Sequence, residues 1–71
     1  MKNKILQLEG KQVEITYMNA LDLPIRRKGN LVIDQDWAYV YNEDKTGKQY
    51  NGVFCLKTES DINKIISIIE I

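Results

Sequence analysis

Leu31-Val32-Ile33-Asp34-Gln35-Asp36-Trp37-Ala38-Tyr39-Val40-Tyr41 is the stretch that decides the fold of this chain. An aliphatic run meets two acids around a glutamine, and a second run follows in which large and small side chains alternate. Successive side chains of a strand point to opposite faces, so Trp37, Tyr39 and Tyr41 share one face and Ala38 and Val40 the other. Aromatic and β-branched residues suit a pleated, half-buried surface, and acids cluster in tight turns. The segment predicts a strand over residues 26–34, a turn at Asp34-Gln35-Asp36 and a strand over residues 37–41.

Working outward, Val13, Ile15 and Tyr17 alternate with Gln12, Glu14, Thr16 and Met18, which predicts a strand over residues 11–18. Asn19 to Pro24 breaks the pattern, since proline removes a donor and biases Leu23 away from helix; a turn or a sheet edge fits there. Gly29 marks a bend or bulge in the second strand. Glu43 to Lys48 predicts a polar hairpin loop with Gly47 free to take positive φ. Residues 50–57 predict a fourth strand, with Gly52, Phe54 and Leu56 on one face and Val53 and Cys55 on the other. Ile5, Leu6 and Leu8 suit either a short helix or a strand turning at Glu9-Gly10. The tail also has two readings. Thr58 followed by Asp61 is a helix-start signal, and Ile62, Ile65, Ile66 and Ile69 recur at helical spacing. Yet six of the last ten residues are isoleucine, which favours sheet. One helical turn at residues 60–63 and a strand at 65–70 is the preferred reading; a helix over residues 60–70 is the alternative.

Seventy-one residues make a single domain, spanning 1–71. Ten basic and ten acidic side chains leave no net charge, which argues against a general nucleic-acid coat or a binder of anionic membranes. There is no histidine, hence no usual general base or commonest metal ligand, and the one cysteine, Cys55, cannot make an internal disulfide or a zinc cluster alone. Cys55 lies in an apolar run and reads as a small buried residue. No phosphate-binding glycine pattern occurs, and Asp34-Gln35-Asp36 lacks the glycine and glutamate of a calcium loop. No catalytic residues, metal ligands or cofactors are therefore assigned, and the chain does not read as an enzyme. Without an apolar stretch of about 18 residues, a membrane span is not expected, and a cytoplasmic, reducing location is. Isoleucine, lysine and asparagine fill 24 positions, a composition suited to an AT-rich bacterial or phage genome.

Four strands, a helical turn and a fifth strand in this length is the layout of a small SH3-like or Sm-like β-barrel. Leu8-Glu9-Gly10-Lys11-Gln12-Val13-Glu14-Ile15 resembles the approach to the first strand of Sm-like proteins. Gly29-Asn30-Leu31 with Asp34 or Asp36 resembles their glycine-bent second strand and its terminal acid, and Leu56-Lys57-Thr58 through Asp61-Ile62 and Ile65 is similar to their last strands. The resemblance implies a mainly β, five-stranded antiparallel barrel with a short helical turn. It extends less well to the family's RNA pocket. Ala38-Tyr39 stands where an asparagine follows the acid, Lys57-Thr58 where an arginine-glycine pair falls, and an insertion with Pro24 separates the first two strands.

The candidate binding surface combines Trp37, Tyr39 and Tyr41 with the basic run Arg26-Arg27-Lys28. The aromatic row is core, a protein contact or a stacking platform for bases. The basic run is a solvated edge, a rim or a phosphate grip. The leading expectation is a non-enzymatic regulatory module that docks a protein partner, such as an accessory or inhibitor protein of a phage or mobile element. It is expected to be a homo-oligomer, because the tail isoleucines outnumber the core positions open to them. Sm-like nucleic-acid binding is the alternative, and capture of a small anionic ligand between subunits is a third reading.

Overall fold

A computed structural model describes residues 1–42 and 50–71; the loop expected at Glu43 to Lys48 lies outside the described residues. In chain order the elements are α1 (Lys2–Gln7), β1 (Gln12–Met18), β2 (Pro24–Asp34), β3 (Trp37–Tyr41), β4 (Tyr50–Cys55), α2 (Glu59–Lys64) and β5 (Ile65–Glu70). The strands form one antiparallel sheet in the order β4-β3-β2-β1-β5. The fold is mainly β, as expected. The sheet is not closed, however: its ladder ends at β4 on one side and β5 on the other. It curls far enough for side chains to bridge the gap. Tyr17 of β1 packs edge-on against Phe54 of β4, with ring centroids 5.1 Å apart, and its hydroxyl donates to the Asn51 carbonyl at 2.9 Å.

The alternation read from the sequence places the core. Val13 and Ile15 of β1, Leu31 of β2, Ala38 and Val40 of β3, Phe54 of β4 and Ile65 and Ile68 of β5 are buried on the inner face, joined by Leu56 and by Ile5 from α1. Ile33, which shares the Leu31 face by alternation, is half-buried and packs on the cluster's margin. The N-terminal ambiguity resolves as a helix, with Gly10 in the left-handed region (φ 79°) where the chain turns into β1. In the tail, helix over residues 60–70 is not what forms. Ile62 packs on the core from α2, and the chain becomes extended at Ile65, so that Ile65 and Ile68 are buried from a strand.

The eleven residues of β2 serve two neighbours in succession. Pro24 to Asn30 pair with β1, and Asn30 to Asp34 pair with β3. Pro24 stands opposite Met18, and residues 24–29 pair with β1 alone, so this half of β2 is a local edge, as expected near Pro24, although β2 is interior in the strand order. At the handover the β1 register runs through Gly29 without a bulge. What the glycine supplies is close approach: a Cβ there would fall inside the Tyr41 carbonyl oxygen, and would lie 2.9 Å from the Tyr41 carbonyl carbon and 3.0 Å from a methyl of Val40. The register shifts that do occur lie between Thr16 and Tyr17 against β5, and between Val40 and Tyr41 against β4. The segment with Pro24 is a compact loop, in which the Asn19 side chain accepts from the amides of Leu21 and Leu23 at 2.8 and 3.0 Å. No helix among the described residues is long and apolar enough to cross a membrane.

Candidate functional site

The pairing of β3 with both neighbours builds a continuous outer face. Trp37 lies opposite Asp34 on β2 and Cys55 on β4; Tyr39 lies between Val32 and Val53; Tyr41 lies between Asn30 and Tyr50. Because Ala38 and Val40 fill the inner face, the three aromatic rings must point outward. Trp37 is 43% exposed, and Val32, Val53 and Tyr50 are exposed beside it, while Tyr39 and Tyr41 are half-buried. This is a row of apolar and aromatic side chains on solvent, of the kind that marks contact surfaces when it is contiguous.

Tyr50 joins the row through a local irregularity. The register shift between Val40 and Tyr41 brings Tyr50 opposite Tyr41. The three tyrosines then contact one another, with centroids 4.9 Å (Tyr41–Tyr50), 5.1 Å (Tyr39–Tyr50) and 6.0 Å (Tyr39–Tyr41) apart. Rings this close fill the space between them. The cluster is therefore a packed knob and leaves no cage for a cation. The Tyr41 hydroxyl is held above the ordinary tyrosine pKa, chiefly by its hydrogen bond with the Tyr50 hydroxyl, then by burial and the nearby phenols and Asp34 carboxylate.

The basic run does not act as one group. Strand alternation puts Arg26 and Lys28 on the outer face, opposite Thr16 and Glu14, and both approach the Glu14 carboxylate, at 3.6 and 3.9 Å. Arg27 stands opposite inward-facing Ile15 and so leaves the sheet on the other side, where its guanidinium donates to the Arg26 carbonyl at 3.0 Å. Lys28 and Arg26 continue the outer face beyond Asn30, while Arg27 does not. At the opposite end of the row the charges are acidic: Asp34 pairs across from Trp37, and Asp36 accepts from Lys57 at 3.2 Å.

Cys55 is not the buried residue its apolar neighbours suggest. It is half-buried on the outer face across from Trp37, and its amide donates to Asp61 Oδ2 at 2.8 Å. An open cleft of about 670 Å³ between Met1, Lys2, Leu56 and Ile62 has lysines and Glu59 at its mouth. It holds no buried polar group that would orient a ligand. Among the described residues no three acidic, cysteine or histidine side chains group to hold a metal. No family model, no curated protein and no solved structure matches the chain.

Proposed function

We propose that this chain is a non-enzymatic binding module that docks a protein partner through the outer face of β2, β3 and β4, with Trp37 as the anchor. The observation that carries the reading is the exposed Trp37 set in a continuous apolar and aromatic row, on a chain without net charge. Tryptophan and tyrosine dominate the energetics of protein contacts, where they bring large area at low entropic cost. Arg26 and Lys28 supply a polar rim on one side and Asp34 and Asp36 on the other. The element layout also fits the small SH3-like or Sm-like class, whose members need no catalytic residues to work. Base stacking by Trp37 would bring phosphates towards Asp34 and Asp36, which disfavours the nucleic-acid alternative. Anion capture by the basic run is disfavoured in turn, because Glu14 already engages Arg26 and Lys28.

The test is copurification from the native host with wild type and Trp37→Ala in parallel. A partner retained by wild type and lost with Trp37→Ala, at a cost of about 2 kcal/mol or more in measured affinity, supports the reading. Retention by both variants, or capture of nucleic acid with an affinity that falls steeply as salt rises, overturns it.

A further inference from the structure

The two acids of the turn between β2 and β3 have different tasks. Gln35 and Asp36 alone separate the paired Asp34 and Trp37, and Gln35 takes the left-handed region (φ 54°), which residues with side chains seldom enter. The turn is pinned from outside. The Leu56 amide donates to the Asp36 carbonyl at 2.6 Å, and Lys57 pairs with the Asp36 carboxylate at 3.2 Å. Asp36 is thus committed to holding the hairpin. Asp34 is not: it is exposed, and no lysine or arginine among the described residues pairs with its carboxylate. Trp37 is set apart in the same way. The three tyrosines of the outer face pack ring on ring, whereas the indole makes no ring contact among the described residues and is 43% exposed. Side chains directly opposite on antiparallel strands have Cβ atoms about 4.5–5.5 Å apart. An aromatic ring and an unpaired carboxylate therefore stand side by side on a fixed hairpin.

We propose that Asp34 and Trp37 together receive an arginine side chain of the docked protein, and that Asp34 sets the choice of partner. The inference rests on the docking role given to Trp37 and adds the chemistry of what docks there. A guanidinium is planar, so it can lie against the indole while N–H groups on its edge reach the carboxylate. A lysine ammonium carries the same charge, but it has no plane to stack and holds its water more tightly. A neutral apolar side chain would cover Trp37 and strip water from Asp34 without replacing the lost hydrogen bonds, which penalises it. The pair therefore selects a cation, and among cations the planar one. The tyrosine cluster cannot serve in its place, because its rings already fill the space between them. Nor does an internal cation compete: Arg26 and Lys28 face Glu14, and Lys57 faces Asp36.

The experiment is selection of a phage-displayed library of random peptides on the immobilised full chain, in parallel with Asp34→Asn and Trp37→Ala. Both positions are exposed and the turn is held through Asp36, so both variants should keep the fold, which circular dichroism checks. Wild type should enrich peptides with an arginine beside an apolar or aromatic residue. Asp34→Asn should keep the apolar preference and lose the arginine; Trp37→Ala should enrich neither. A second measurement needs no variant of the chain. In a selected peptide, replacing the arginine by lysine should weaken binding to wild type about fivefold, and replacing it by glutamine about tenfold or more. Both replacements should matter little on Asp34→Asn. Peptides that depend on Trp37 without preferring arginine, or that prefer it equally on Asp34→Asn, overturn this inference and leave Trp37 as an anchor. Enrichment of the same peptides by Trp37→Ala, or of none by wild type, overturns both.

Discussion

Replacing Gly29 with alanine tests the geometry that sets the aromatic strand in place. The added methyl would overlap the Tyr41 carbonyl oxygen and press the adjoining carbon and a Val40 methyl at 2.9 and 3.0 Å. The contact is backbone on the Tyr41 side, so no side-chain rotation relieves it; β3 must move away from β2 by about 1 Å or more. Overpacking of this sort costs about 1–3 kcal/mol. Separating the strands at Asn30 and Tyr41, which pair there, leaves backbone groups poorly bonded at about 1–3 kcal/mol more. A total near 2–6 kcal/mol compares with about 4–11 kcal/mol for the stability of a chain this long. With a urea m-value near 1 kcal/mol/M, the denaturation midpoint should fall by about 2–6 M, or the variant should be unfolded without denaturant. Gly10→Ala is the control. Gly10 has positive φ with open space around it, so only the left-handed backbone is penalised, at about 1–2 kcal/mol. A Gly29→Ala variant that melts within about 1 kcal/mol of wild type would refute the close-approach argument.

Tyr17→Phe should cost about 1 kcal/mol in urea unfolding, since it removes the bond to the Asn51 carbonyl and keeps the packing on Phe54. Asp61→Ala should cost about 1–3 kcal/mol, because the Cys55 amide loses a charged acceptor, and hydrogen exchange at that amide should accelerate. Tyr41 should ionise above the ordinary tyrosine range in an ultraviolet titration, and Tyr50→Phe should lower its pKa towards that range. The folded-state pKa of this acid is raised, so its contribution to stability is complete below the unfolded-state value near 10. That contribution is lost as pH rises through the higher folded value, so the melting temperature should decline in that alkaline window.

The parts of the fold legible in the sequence were those set by local periodicity. Trp37 to Tyr41 shows both faces of its strand, because a period of two needs no knowledge of the neighbours, and the structure buries Ala38 and Val40 accordingly. The tail was legible as two competing signals. Burial of Ile65 and Ile68 against β1 decides between them, a tertiary effect that no local pattern contains. Tyr50 could not be placed in the aromatic cluster from sequence, since its position depends on a register shift in the pairing of β3 with β4. The helix-start signal at Thr58 located α2 correctly but misassigned its chemistry. Thr58 makes no side-chain cap, and Asp61 turns instead to the edge of β4. Arg26, Arg27 and Lys28 read as one basic run in sequence, although adjacency on a strand means opposite faces.

That last point changes what zero net charge means here. The cations nearest the outer face are already engaged inside the chain: Arg26 and Lys28 by Glu14, and Lys57 by Asp36. Exposed pairs like these contribute little to stability, about 0–1 kcal/mol each, but they neutralise the potential that a phosphate backbone would need. Asp34, across from Trp37, has no cation beside it among the described residues. The anchor end of the row is therefore bordered by acid, and its opposite end by a balanced cluster on Glu14. If the row docks a protein as proposed, this distribution favours a partner that brings apolar area to Trp37 and a basic side chain to Asp34. On the same proposal, the acidic border would disfavour polyanions at the position where an exposed aromatic ring would otherwise invite them.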